Sequence, residues 1–370
     1  MTLIDAEPRS GRGHSVRRFT VELFDGRDLA AARWPTLAAG PELLMHVFQS
    51  REFLDVWMAT VGRARNAQCL LIVVTDQEKK PVLYLPLCVE NKFNRRILRF
   101  MDAGIADLNA PILVAGQNLT RSEFLDVWSE IVSMLPVVDV IDLQKMPSHV
   151  CAAHNPLTYL ACRPYRSSGH AIDLADWHEL ARKRGSIVRM RSKLRRHRRR
   201  LSEIEPTAVL VNPSGPHWHQ VMDRLTELKR RQYQRTGRDF FAAPGIREFY
   251  REIAAPERLG RISHLSALTC GNNIVAAHLG FIGRGRFYYI MPAFDLDHRS
   301  YAVGLMLLGC LIEQCAEEDY ATFDLGEGDY SYKETWETHR LALSSYEQGL
   351  TAAGMVYGQL LRARRFLLAH

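Results

Sequence analysis

Residues 286–333 constrain the fold more than any other stretch of this chain. An aromatic and apolar run at 286–292 reads as a strand, and a polar turn comes directly after it. A helix is then expected over 302–318, and its first part, AVGLMLLGCLI, is apolar on every side. Such a helix has to be buried. A second strand, carrying Ala321, Phe323 and Leu325, breaks at Gly326 and Gly328. Strand, polar turn, buried helix, strand and acidic turn make one α/β unit with its polar groups gathered at one edge. The last turn brings Asp324, Glu327, Asp329, Tyr330, Tyr332 and Lys333 to that edge.

The rest of the chain is large enough to complete two domains around this unit, at 370 residues. A 47% hydrophobic and 24% charged composition is that of a globular protein. No apolar run reaches the roughly 18–20 residues that span a membrane. Residues 1–15 lack a secretory apolar region and are expected to be a flexible tail, so a cytoplasmic location is expected. The seven cysteines are scattered, as suits reduced, buried thiols, and no metal-ligand spacing occurs. The net charge of +7 is concentrated: residues 182–205 carry eleven Lys and Arg against two Glu, so the remainder sums to about −2. In that segment Ile187, Met190, Leu194, Leu201 and Ile204 form an apolar stripe. It predicts an amphipathic helix over 176–204, packed on one side, with arginines outward over 182–200. Those arginines are either a solvated face or a contact for an anionic partner.

Taken in order, strands are expected at 16–23, 68–75, 81–89, 96–100 and 137–143. Helices are expected at 41–61, with Ser50 as an internal cap, at 122–135, and at 149–161. Residues 163–171 read as a connection between an N-terminal domain at 16–165 and a C-terminal domain at 170–370. The second half repeats the pattern, with a strand at 207–211, helices at 216–235 and 245–252, and strands at 261–269 and 273–282. A last strand at 342–348 and a closing helix at 358–367 come after the acidic turn.

Several segments, in this order, resemble one family. They are HVFQSREFLDVW (46–57), GIADLNAPIL (104–113), SKLRRHRRRL (192–201), CGNNIVAAHLGFI (270–282), FDLDHRSYAVGLMLL (294–308) and FDLGEGDYSYK (323–333). Over about residues 40–350 the chain is similar to GNAT acyltransferases, more narrowly to the CelD-like acetyltransferases associated with cellulose biosynthesis. That family is related to the Fem-type transferases, which are built from two GNAT-like halves. The resemblance implies an α/β (α+β) fold of tandem GNAT-like mixed sheets flanked by helices. It implies acetyl-CoA or another acyl-CoA as co-substrate, no metal, and a small-molecule or polysaccharide-precursor acceptor. It places the pantetheine where strands 286–291 and 320–325 part, and the pyrophosphate at the start of the helix between them.

Within that frame Arg299, Ser300, Tyr301 and Gly304 are candidates for the donor's phosphates, because a helix N-terminus presents free N–H groups to an anion. Where the family commonly has a Ser-Pro-Gly-like triplet, this chain has Ala302-Val303-Gly304. Acyl transfer needs a base, polarisation of the thioester carbonyl and protonation of the leaving thiolate. Asp324 or Glu327 is the candidate base, Lys333 or backbone amides of the 286–291 strand the oxyanion partner, and Tyr332 or Tyr289 the acid, Tyr289 being also a candidate for contacting the donor. The bland alternative for the same residues is an Asp324–Lys333 ion pair holding a glycine turn. Tyr288 and Asp295 are candidates for binding the acceptor, Asp295 equally for shaping a turn. His278, in a strand of small residues, reads as a core histidine. Two other functions stay open: a Fem-like transferase using aminoacyl-tRNA, and a non-catalytic binding protein of the same fold.

Overall fold

A computed structural model describes residues 18–237 and 239–369. The expected tail at 1–15 and the first two residues of the expected strand at 16–23 lie outside them. Two large mixed sheets share one plan. In the first, strands Phe19–Asp25, Gln68–Asp76, Pro81–Lys92, Arg95–Phe100, Val140–Pro147 and Leu343–Gly349 lie side by side. In the second the order is Thr207–Val211, Ser263–Cys270, Asn273–Gly283, Arg286–Phe294, Thr322–Glu327 and Gly169–Asp173. Neighbours along each of these paths are antiparallel except one pair per sheet: Arg95–Phe100 with Val140–Pro147, and Arg286–Phe294 with Thr322–Glu327. A parallel pair needs a crossover, and each has a helix: Arg121–Met134 in the first half and Val303–Glu317 in the second.

The sixth strand of each sheet is remote in sequence from the strand it pairs with. Leu343–Gly349 lies beyond the second domain's acidic turn in sequence but pairs with Val140–Pro147. Gly169–Asp173, expected to be connection, pairs with Thr322–Glu327 instead. The chain crosses from the first sheet to the second between Pro164 and Gly169, and returns to the first at Leu343. A shared apolar core lies between the halves, where Phe48 and Phe53 from the first meet Phe249, Phe281 and Tyr288 from the second. Separate cores lie beneath the Arg121–Met134 and Val303–Glu317 helices.

Four local expectations need correction. The helix expected at 41–61 is a short strand, a 3-10 turn and then Arg51–Trp57 running into a π-turn. Ser50, with extended backbone, interrupts the chain there, and its side chain caps Arg51–Trp57 by accepting from Phe53 N–H. Thr120, two residues before the expected start at Ser122, caps Arg121–Met134 in a reciprocal box with Glu123. The helix expected at 149–161 is a small hairpin, His149–Val150 with Ala153–His154, and a 3-10 turn whose start Asn155 caps ahead of Pro156. The basic helix is two helices, Trp177–Lys183 and Gly185–Ser202, parted at Arg184, whose backbone is extended. Ile187, Leu194, His197 and Leu201 form its buried stripe.

Candidate active site

The site begins with one misfit in a strand pairing. Leu279 faces Met291 and Phe281 faces Tyr288, so two residues, Tyr289 and Ile290, stand opposite Gly280 alone. Such a bulge bends the longer strand away from its other neighbour. Parallel pairing with Thr322–Glu327 stops at that point, at Tyr288 with Asp324. Gly280 is required by this bend, because a Cβ there would lie 2.4 Å from Tyr288 O. Past the bulge, Arg286–Phe294 and Thr322–Glu327 part, and the cleft between them ends in the acidic turn.

Gly326 forms the open corner of that cleft. Its φ of +81° suits glycine. A Cβ there would come within 2.4 Å of Asp107 Oδ2 and 3.4 Å of Tyr289 O. Asp107 belongs to the first half, so both halves build the site. Its loop is tied down at several points: Asp102 Oδ1 accepts from Gly104 N–H (3.0 Å) and Ala106 N–H (2.7 Å), and Lys145 Nζ donates to Ala106 O (2.6 Å). Burial raises the Asp107 carboxyl to about 7; Lys145 and Lys333 oppose that shift, while Asp324 and Glu327 add to it. A carboxyl that titrates near neutrality in a cleft is suited to act as a base. The loop GIADLNAPIL carries the family resemblance, but no pattern in the sequence assigns Asp107 a role.

The expected site residues fall into three groups. Asp324 is buried and fully engaged. Its Oδ2 accepts from Arg286 Nη1 (2.9 Å) and its Oδ1 from Gly326 N–H (2.9 Å). The alternative Asp324–Lys333 ion pair is thus replaced by Asp324–Arg286. Lys333 is also buried, donating to Gly326 O (2.9 Å) and Glu327 O (2.8 Å) and so bracing the turn from within. Desolvation lowers its pKa, against the nearby carboxylates. Glu327 accepts from the Ser167 hydroxyl. Tyr332 is half-buried and Tyr289 buried, and each hydroxyl is held protonated chiefly by burial. Beyond burial, Tyr332 adds to the shift of Tyr289, and Tyr330 and Asp107 to that of Tyr332.

The second group lies at the start of Val303–Glu317. No side chain caps this helix, and Ala302 enters it with a φ of +53°. Arg299 and Ser300 are exposed in the 3-10 turn Leu296–Tyr301 just before it. The Arg200 guanidinium lies 5.5 Å from the Tyr301 ring centre, so the basic helix adds a cation to this corner. Gly304 packs against Phe294: a Cβ would be 3.0 Å from that ring, which would have to shift by a few tenths of an ångström to admit it.

The third group is structural. Asp295 caps the 3-10 turn through Asp297 N–H (3.0 Å) and pairs with Arg224 (2.7 Å). Tyr288 is buried, with its hydroxyl 3.3 Å from His46 Nδ1. His278 is a core histidine: it stacks on Tyr289 at 4.3 Å, and burial drives its pKa well down. Lys229, which no sequence pattern marks, donates to Pro292 O (3.0 Å) just past the bulge, and burial lowers its pKa to about 8.

Comparison with known proteins bears on the fold. Residues 188–334 match the family described as acetyltransferase (GNAT) domain. No curated protein matches the chain. Among solved structures, FemX is similar at 12% identity and a TM-score of 0.56, with 88% of this chain and 96% of that one covered. A conserved Bacteroides thetaiotaomicron protein of unknown function is similar at 13% identity and a TM-score of 0.53, covering 80% and 88%. A tandem GNAT protein from the clavulanic acid biosynthesis pathway is similar at 12% identity and a TM-score of 0.50, covering 90% and 100%. The chain thus has the tandem GNAT fold, and residues 188–334 of its second half match a GNAT acetyltransferase domain.

Proposed function

We propose that the protein transfers an acyl group from an acyl-CoA thioester to an amine or hydroxyl acceptor at the cleft of its second half. The observation that carries this is the bulge opposite Gly280. It parts two parallel strands beside an uncapped helix N-terminus and leaves the Tyr289 carbonyl, the bare Gly326 and the Asp107 carboxylate around one opening. The donor fits these surroundings: an extended pantetheine against a freed strand edge, and phosphates against Val303 and Gly304 N–H groups with Arg299 and Arg200 alongside.

Asp107 takes the acceptor's proton as its nitrogen or oxygen attacks the thioester carbonyl carbon. The carbon–sulfur bond then breaks, and the Tyr332 hydroxyl donates to the departing thiolate. Lys333 and Arg286 act one step back. Lys333 holds the Gly326–Glu327 turn, and Arg286 fixes the Asp324 carboxylate where it accepts from Gly326 N–H. In this scheme the acceptor attacks directly; five of the seven cysteines, Cys69, Cys88, Cys162, Cys310 and Cys315, are each held as thiols mainly by burial.

The basic helix Gly185–Ser202, whose Arg200 reaches this corner, favours a second donor, an aminoacyl ester of tRNA as the Fem resemblance suggests. Thermal shift separates the two. Acetyl-CoA or a longer acyl-CoA should stabilise the protein by about 2.7 kcal/mol at a hundredfold excess over Kd. A shift with charged tRNA and none with any acyl-CoA would move the assignment to the second donor.

A further inference from the structure

A cavity of about 540 Å³ lies between the helices Gly215–Thr236 and Ile246–Ile253 and reaches the bulged strand at Met291. Its inner wall is Tyr250 and Phe241, with Met291 as floor. Tyr250 is buried, its ring 6.2 Å from that of Phe240, and Phe240 packs on Gly104, so the inner end meets the loop that carries Asp107. The outer rim carries four arginines, Arg230, Arg231, Arg247 and Arg251, against Asp223 and Glu227. Two of the four are occupied: Arg231 pairs with Glu227 at 2.6 Å, and Arg251 lies 5.9 Å from the Trp218 ring centre. Glu227 is itself shared with Arg224 at 2.8 Å. Arg230 and Arg247 stand on different helices, line the same cavity and have no ion-pair partner among the described residues.

We infer that this cavity binds the acceptor and that the acceptor is an anion. A phosphate or carboxylate would be held between Arg230 and Arg247, the body of the molecule would lie along Met291 and Phe241, and its amine or hydroxyl would face Asp107. This rests on the acyl-transfer proposal for the reaction, but not for the binding. Guanidinium groups pair with phosphate or carboxylate through two parallel hydrogen bonds, and an anion that neutralises both arginines needs no other countercharge. An apolar inner wall with convergent polar groups at one end suits a small ligand held in one orientation.

Inorganic phosphate and acetate are the binding probes, measured by calorimetry on the intact protein. Phosphoethanolamine, 4-aminobutyrate and propylamine are the acceptor probes, with coenzyme A release as readout. Wild type should bind phosphate or acetate, and Arg230→Ala/Arg247→Ala should weaken that binding by at least about tenfold. Acetyl-CoA binding by the double variant should be unchanged. Preference for phosphoethanolamine identifies a phosphate, and preference for 4-aminobutyrate a carboxylate. If neither anion binds wild type at millimolar concentration, or the double variant binds both equally well, the inference is overturned. Propylamine accepting the acyl group as well as both anionic amines would overturn it too. Failure of wild type to bind acetyl-CoA, with anion binding intact, would count against the donor assignment alone. Double Lys replacement (Arg230→Lys/Arg247→Lys) should restore part of the affinity, which a merely structural role for the arginines would not require.

Discussion

Replacing Asp107 by Asn should make the protein more stable at pH 8 and much less active. The carboxyl titrates at about 7 in the folded chain, against 3.8 for an ordinary aspartate, mainly through burial. A carboxyl whose folded pKa is raised binds its proton more tightly when folded. Its favourable contribution is complete below about pH 4 and is lost as pH rises through 7. At about 1.4 kcal/mol per pH unit the shift corresponds to roughly 4 kcal/mol. Asp107 is only half-buried, so solvent screening brings the expected value to about 2–3 kcal/mol. Asn fills the same space without ionising. Urea unfolding of wild type and Asp107→Asn from pH 4 to pH 8.5 should give curves that converge at low pH and separate by that amount at pH 8. In parallel, kcat/KM for coenzyme A release should fall by about 10²–10⁴. Curves that stay parallel across the range would refute the raised pKa, and undiminished turnover would remove Asp107 from the chemistry.

Other perturbations test the scaffold of the same cleft. Arg286→Met removes the guanidinium partner of the buried Asp324 carboxylate, and should cost about 3–5 kcal/mol in a denaturant melt; adding Asp324→Asn should recover much of that loss. Gly280→Ala forces a Cβ against Tyr288 O. It should cost about 1–3 kcal/mol and abolish acetyl-CoA binding by calorimetry, because the bulge cannot keep its shape. Lys333→Met leaves two turn carbonyls without their donor, and should lower stability by about 1–3 kcal/mol and reduce kcat more than acetyl-CoA affinity.

Much of the second half was visible in the sequence because its apolar runs have nowhere to go but inside. The helix Val303–Glu317 and the strands beside it fall where their side chains require, and both flanking turns lie at one end of the sheet. The role of Asp107 was not visible. It depends on a loop from one half being laid against Gly326 of the other, and side-chain periodicity says nothing about contacts across halves. The destination of Leu343–Gly349 was hidden for the same reason: alternation reveals a strand but not which sheet it joins. The bulge did leave a trace, since Gly280 interrupts an otherwise packed strand sequence, and an isolated strand glycine points to a bulge. Asp324 misled because a polar residue between Phe323 and Leu325 is as well explained by a buried partner, here Arg286, as by catalysis.

The sixth strand of each sheet works like a clasp. Removing residues 339–369 would strip Leu343–Gly349 from the first sheet and bare the edge of Val140–Pro147, while a fragment starting at residue 175 would bare the far edge of Thr322–Glu327. An uncovered strand edge recruits other chains. Neither half is therefore a practical unit for engineering. Grafting a new acceptor pocket onto this scaffold would have to keep both crossings, and partial proteolysis should yield nicked but undissociated protein rather than two free domains.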